Sequence, residues 1–181
     1  MAKQFSAVPL VSEYAVKIFG SGHVVANNRI EFFHDGIDHA SYGDPDGWPD
    51  KPVMPSSIDI VGNDIRNLDD NCIEADGAAQ NVRVMGNRCF NMAHRALSTQ
   101  PSLGGPIYFI RNIVYNAPEG GAVKFTANGA GVLVARAAAI DKGQVIPGIT
   151  DGFTGAGPDL GALERGKPAP HYGPRPIADQ L

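Results

Sequence analysis

The sequence predicts an all-β protein wound as a short right-handed, single-stranded parallel β-helix with a Pro/Gly-rich C-terminal tail. Three observations predict it. The first is repetition: Ile58-Asp-Ile60, Asn63-Asp-Ile65-Arg-Asn67 and Cys72-Ile73-Glu-Ala75 return about 24 residues later as Val82-Arg-Val84, Asn87-Arg-Cys89-Phe-Asn91 and Ala96-Leu97-Ser-Thr99. They return again as Ile107-Tyr-Phe109, Asn112-Ile-Val114-Tyr-Asn116 and Val123-Lys-Phe125, and a fainter copy precedes them at Val24-Val25, Asn28-Arg-Ile30 and Ile37-Asp38. A fixed period of this length means stacked supersecondary units. The second is that each copy holds three short runs of alternating apolar and polar residues, the strand period rather than the helical one. The third is that Asn, Gly and Asp separate the runs, so each unit is three strands and three turns.

Residues 1–22 read as an irregular lead-in with one strand near Tyr14–Phe19. The first rung, 23–39, ends in His34-Asp-Gly-Ile-Asp-His39, where Asp-Gly is expected to supply a tight turn before an inward Ile. The spacing from Asn28 to Asn63 then exceeds the period by about ten residues, which places an insertion at Ala40–Ser56. That segment, rich in Pro, Gly and Asp, cannot continue the coil and is expected to project from it. Rungs two to four occupy 57–126, with inward positions at Ile65, Cys89 and Val114 and at Ile73, Leu97 and Val123. Asn63, Asn87 and Asn112 fall at one point of successive rungs and Asn67, Asn91 and Asn116 at another. Stacked asparagines hydrogen-bond up a ladder and tolerate left-handed turns. Gly129–Ile140 offers a last half rung, and from Asp141 the text becomes Pro/Gly-rich coil. The division expected is thus a β-helix over 1–140 and a surface cap or tail over 141–181.

At 181 residues the chain is one domain, and 43% hydrophobic content fills a core. Its 22 glycines and 14 prolines suit many turns. A net charge of −4 without basic clusters argues against nucleic acid or an anionic membrane as the main partner. Cys72 and Cys89 lie on different strands of neighbouring rungs, so two buried thiols are expected rather than a disulfide. The opening Met1-Ala-Lys-Gln-Phe5 is unlike a signal peptide, so the chain as written is not expected to be exported. It begins almost inside a rung; a bare solenoid end exposes strand edges, so the expectation is self-association, another partner chain over that end, or a longer parent chain.

The repeats Asn-x-Ile-x-Asn and Asp-Gly-Ile, with the closing text Ala138-Ala-Ile-Asp-Lys-Gly143, Thr150-Asp-Gly-Phe153 and Gly157-Pro-Asp-Leu-Gly-Ala-Leu-Glu164, resemble bacterial right-handed β-helix proteins of the pectate-lyase-like superfamily. The resemblance spans roughly residues 23–175. It implies an extracellular or periplasmic location and a family that includes polysaccharide lyases, glycoside hydrolases and epimerases. Polygalacturonases in this superfamily are similar in motif order. Their Asn-Thr-Asp-Gly-Ile is matched by Phe33-His34-Asp35-Gly36-Ile37, which keeps the catalytic-type acid as Asp35. Their Gly-Asp-Asp-Cys-Ile is matched by Leu68-Asp69-Asp70-Asn71-Cys72-Ile73 with Asn71 inserted, and their Gly-His-Gly by Ala93-His94-Arg95 with only the His kept.

Superposing the rungs gives an outward row Asp38, Glu74, Ser98 and Lys124, a second row Ala40, Asp76, Gln100 and Thr126, and a turn row His34, Asp70, His94 and Gly120. Parallel stacking sets Asp38 and Glu74 one rung apart, ~4.8 Å, where two carboxylates cannot both ionise easily. That spacing is near the one retaining glycosidases use, though it does not separate them from inverting ones. The structural alternative is a solvated acidic edge. Asp70 beside His94 makes an acid/base pair, or simply a hydrogen-bonded turn. Arg95 and Lys124 are candidates to bind a uronate carboxylate, or else balance Glu74 and Asp76. Calcium is the candidate ion, at Asp44, Asp46 and Asp50 in the insertion or at Asp69, Asp70 and Asp76 on the coil, with turn-forming Asp as the alternative. Trp48 is a candidate to stack on a sugar ring, or packs the insertion onto the coil. The function expected is binding and cleavage of an acidic polysaccharide by lyase or hydrolase chemistry. The competing expectation is a non-catalytic β-helix binding or adhesion module, or an inactive remnant of a longer enzyme.

Overall fold

The computed structural model describes residues 12–39, 55–117, 121–127, 143–159, 163–164 and 166–175. Among them are thirteen strands and no helix, wound into a parallel β-solenoid of about four turns. Sheet A stacks β1 (Tyr14–Ile18), β4 (Asp35–His39), β7 (Ile73–Glu74), β10 (Leu97–Ser102) and β13 (Val123–Ala127). Sheet B stacks β2 (Val24–Ala26), β5 (Ser56–Val61), β8 (Gln80–Met85) and β11 (Ile107–Ile110). Sheet C stacks β3 (Arg29–Glu31), β6 (Asp64–Leu68), β9 (Arg88–Met92) and β12 (Ile113–Tyr115). Each rung runs B, C, A, and the rungs fall where the repeat places them. The insertion, with Trp48, Asp44, Asp46 and Asp50, lies outside the described residues except for its last two positions, and so does the segment 129–140.

The register follows the alternation of the strands, because a slip by one residue would turn every apolar side chain outward. Ile37, Ile73 and Leu97 are aligned inside sheet A, Ile58, Val82 and Ile107 inside sheet B, and Ile30, Ile65 and Cys89 inside sheet C. Val123 keeps its register with Leu97 but is 45% exposed, because β13 is the outermost strand of its sheet.

The corner between sheets B and C holds the asparagine ladder, which begins one rung earlier than its three clearest members. Asn28, Asn63 and Asn87 each donate their backbone N–H and their Nδ2 to the Oδ1 of the next asparagine, ending at Asn112, at 2.9–3.0 Å. The buried Nδ2 groups also reach carbonyls of strand B: Asn63 to Val25, Asn87 to Ile60 and Asn112 to Val84. Asn67, Asn91 and Asn116 form the second ladder, each with φ near +55°, a left-handed geometry that asparagine tolerates. Gly36 has a different role from the expected turn. It lies inside β4, where a Cβ would stand 2.3 Å from the Cys72 carbonyl oxygen, so the residue lets the second rung pass close to the first.

Cys72 and Cys89 are joined in a disulfide with their Cα atoms 6.0 Å apart, which corrects the expectation of two thiols. Both side chains point into the narrow coil, so residues from adjoining sheets and successive rungs meet there although they share no strand. The described part of the tail has no strand and runs back along the B–C corner: Arg111 bonds Glu164, Arg88 lies over the Tyr172 ring, Gly173 N–H donates to the Gly62 carbonyl, and Arg175 donates to Asn27. It thus straps rung four back to rung one.

Replacing Asn87 by Leu should cost about 3 kcal/mol or more in urea unfolding, because the buried Asn63 N–H and the Ile60 carbonyl lose their partner. Replacing both cysteines by Ser should cost about 3 kcal/mol, the expectation for a loop of 17 residues. A loss below ~1 kcal/mol in both variants would contradict this account of the corners and core.

Candidate functional site

The corner between sheets C and A brings three columns of polar residues together. The first is His34, Asp70 and His94, stacked as the turn row predicts: Asp70 N–H donates to the His34 carbonyl at 2.7 Å, and His94 N–H to the Asp70 carbonyl at 3.4 Å. Its side chains interleave, with His94 Nδ1 3.0 Å from Asp70 Oδ1 and His34 Nε2 3.7 Å from Asp70 Oδ2. Asp69 lies beside His34, 3.2 Å from its Nδ1. The second column is Asp35, Asn71 and Arg95, where each upper N–H donates to the side-chain oxygen below it, Asn71 to Asp35 at 2.9 Å and Arg95 to Asn71 at 3.0 Å. The third, Asp38, Glu74, Ser98 and Lys124, is in the register expected for one outward row.

That third column is not a solvated edge. Asp38, Glu74 and Ser98 are buried, Asp38 is paired with Lys17 of β1, and Ser98 donates to Asp76, which also accepts the Gln100 N–H at 2.7 Å. Lys17 was not legible as a site residue, because β1 has no preceding copy against which to set its register; its row partner Asp38 was the available signal. Access is better at the corner, where His34, Asp69, His94 and Arg95 are partly exposed around the buried Asp35 and Asp70. Arg95 also donates to the Val123 carbonyl at 3.3 Å.

The carboxyl groups differ in their electrostatics. Burial pushes Asp35 up to about 8, helped by the charges of Glu74, Asp70 and Asp38 and opposed by the Asn71 N–H. Burial pushes Asp38 up to about 7 against its bond to Lys17, and Asp76 up to about 6 against its bond to Ser98. His39, deep in the core with neither ring nitrogen hydrogen-bonded, is held down at about 4 by burial and by the Lys17 charge.

His34, Asp35 and Asp70 each present one potential ligand atom within 4.8 Å of the others. An imidazole with two carboxylates suits a transition ion better than calcium, which takes oxygens. Asp76 stands beyond the far end of β7 from Asp69 and Asp70, apart from this group. No family model, curated protein or solved structure matches the chain.

These shifts set a pH dependence of stability. Three aspartates hold protons in the folded state that they release when unfolded, so their contribution is full below about pH 4 and lost as pH rises through about 6 to 8. His39 acts in the opposite sense, favouring the fold above its unfolded value of 6.5 and opposing it as pH falls toward about 4. Thermal unfolding should therefore give a higher Tm near pH 6 than near pH 8.5, and replacing Asp38 and Asp76 by Asn should flatten that difference. A Tm that rises steadily from pH 6 to pH 8.5 would contradict the burial of these acids.

Proposed function

We propose that the corner between sheets C and A is a hydrolytic site for an acidic polysaccharide, of the polygalacturonase type within the pectate-lyase-like superfamily. The observation that carries this reading is the convergence of Asp35, Asp70 and His94, three residues from three rungs that occupy matching motif positions in that family. Asp35 remains protonated at neutral pH and donates its proton to the glycosidic oxygen as the bond to the anomeric carbon breaks. Asp70, held between His34 and His94 with an oxygen within 4.8 Å of one of Asp35, stands near the retaining spacing: it bonds to that carbon as the leaving oxygen takes the Asp35 proton, and water, giving its proton back to Asp35, then releases the sugar. Asp69 orients His34. The imidazoles and Arg95 at the rim favour a uronate over a neutral sugar, and Lys124 continues the cationic margin along sheet A. Hydrolysis is preferred to elimination because two carboxyl groups meet here, one of them Asp35 with its proton held by burial, while Lys17 is engaged with Asp38. The disulfide favours an oxidising compartment, in keeping with an extracellular or periplasmic location. Phe19, Val24 and Phe32, all more than half exposed at the first-rung end, favour self-association or further coil over that end.

A non-catalytic binding module is the second reading, favoured by the burial of Asp38 and Glu74 in a closed ladder. One assay separates the two. Incubation with polygalacturonate and other polyuronates should release reducing ends without the ultraviolet absorbance of an unsaturated product. Asp35→Asn and Asp70→Asn should each lower the rate by about 100-fold or more while leaving the fold intact by circular dichroism. Binding without product from any polyuronate would favour the module; unsaturated products would move the chemistry to elimination.

A further inference from the structure

Asn71 is inserted where the matching polygalacturonase motif has no residue, and it bonds Asp35, Glu74, Arg95 and His94 of this corner. Its backbone N–H donates to Asp35 Oδ1 at 2.9 Å, and its Nδ2 donates to Glu74 Oε1. Its Oδ1 accepts the Arg95 N–H at 3.0 Å and lies 3.3 Å from His94 Nδ1. The side chain is buried. The ladder asparagines of the other corner give their amide nitrogens to the next asparagine and to a carbonyl of sheet B, whereas the Asn71 nitrogen goes to an acid, Glu74, and its oxygen also meets an imidazole.

We infer that Asn71 is a positioning residue that couples the two halves of the site, holding Glu74 beside Asp35 through its amide nitrogen and fixing the His94 ring through its amide oxygen. The amide supplies a donor and an acceptor on two separate atoms, so one side chain serves Glu74 and His94 at once. His94 Nδ1 faces two oxygens, Asn71 Oδ1 at 3.3 Å and Asp70 Oδ1 at 3.0 Å, so this nitrogen carries a proton and the Asn71 amide oxygen helps fix the ring. Glu74 is tethered to Asn71 Nδ2 and Asp35 to the Asn71 N–H, so the two acids share one residue as partner. The inference rests on the hydrolytic reading for its purpose, and on geometry alone for its substance.

Two substitutions separate positioning from scaffold. Asn71→Ala removes donor and acceptor and lets Glu74 swing from Asp35. Asn71→Asp keeps the shape, keeps an acceptor toward His94 and adds a like charge beside Asp35. Carboxyl-carbon NMR titration should then move the Asp35 midpoint in opposite directions, down by about 1 unit in Asn71→Ala and up by a similar amount in Asn71→Asp. Imidazole nitrogen shifts should show His94 protonated at Nδ1 in the unmodified chain and in Asn71→Asp, and a mixture of tautomers in Asn71→Ala. A merely structural asparagine would lower Tm in Asn71→Ala and leave the Asp35 midpoint and the His94 tautomer unmoved there, which would overturn the inference. If Asn71→Ala does not fold, Asn71→Ser decides: its hydroxyl is too short to span Glu74 and His94, so a lowered Asp35 midpoint supports the coupling and an unchanged one refutes it. Polygalacturonate hydrolysis is measured alongside. Absence of hydrolysis by the unmodified chain removes the hydrolytic reading, whereas the titrations still decide the role of Asn71.

Discussion

Asn63 and Asn87, at the corner between sheets B and C, accept at their amide oxygens from the rung below and donate their N–H and Nδ2 to the rung above, and the remaining structure depends on that stacking. A buried backbone N–H without a partner costs roughly 1–3 kcal/mol, and every corner of a coil creates such groups where the chain leaves one sheet for the next. The Asn28–Asn63–Asn87–Asn112 ladder satisfies them with side chains that repeat in register. Once these corners are locked, strands B and C are fixed relative to each other and the inward isoleucines and valines have one arrangement that buries them. The tail strap lies against the same corner, at Gly62, Arg88 and Arg111, and adds bonds where the turns are tightest.

The opposite corner uses the same device with charged members. Asp35, Asn71 and Arg95 form a ladder like the asparagine one, yet its ends are an acid and a base. Asp70 fits between two imidazoles one rung away on each side. A fold that stacks like on like at one corner therefore stacks unlike charges at the other. Burying so many carboxyl groups opposes folding, and the disulfide immediately after Asn71 fixes the turn that carries them. The buried acids and the covalent link meet at two adjacent residues, Asn71 and Cys72.

Period and alternation made the rungs legible, because each acts over a whole strand. The turn row His34, Asp70 and His94 was legible for the same reason: it follows from counting along the repeat. The exposure of Asp38 and Glu74 was not legible, since alternation shows which side of a sheet a residue faces and not what lies over that side. Cys72 and Cys89 misled because strand membership was used where distance across the lumen decides. Gly36 illustrates a further limit: the sequence marks a special backbone position, but only the Cys72 carbonyl against it shows that close approach, and not a turn, is the reason. Asn71 stood out as an insertion, and its bonds to Glu74 and His94 depend on side-chain directions that no period encodes.

The claim beneath all of this is that the register of three successive rungs assembles the corner. Interstrand proton contacts measured by NMR across the His34, Asp70 and His94 column test it most directly. The account predicts contacts that place the Asp70 amide against the His34 carbonyl and the His94 amide against the Asp70 carbonyl, together with Asn63–Asn87–Asn112 side-chain amide contacts up the other corner. Contacts displaced by one residue, pairing Asp69 or Asn71 with His94, would turn Asp70 to the other face and contradict it.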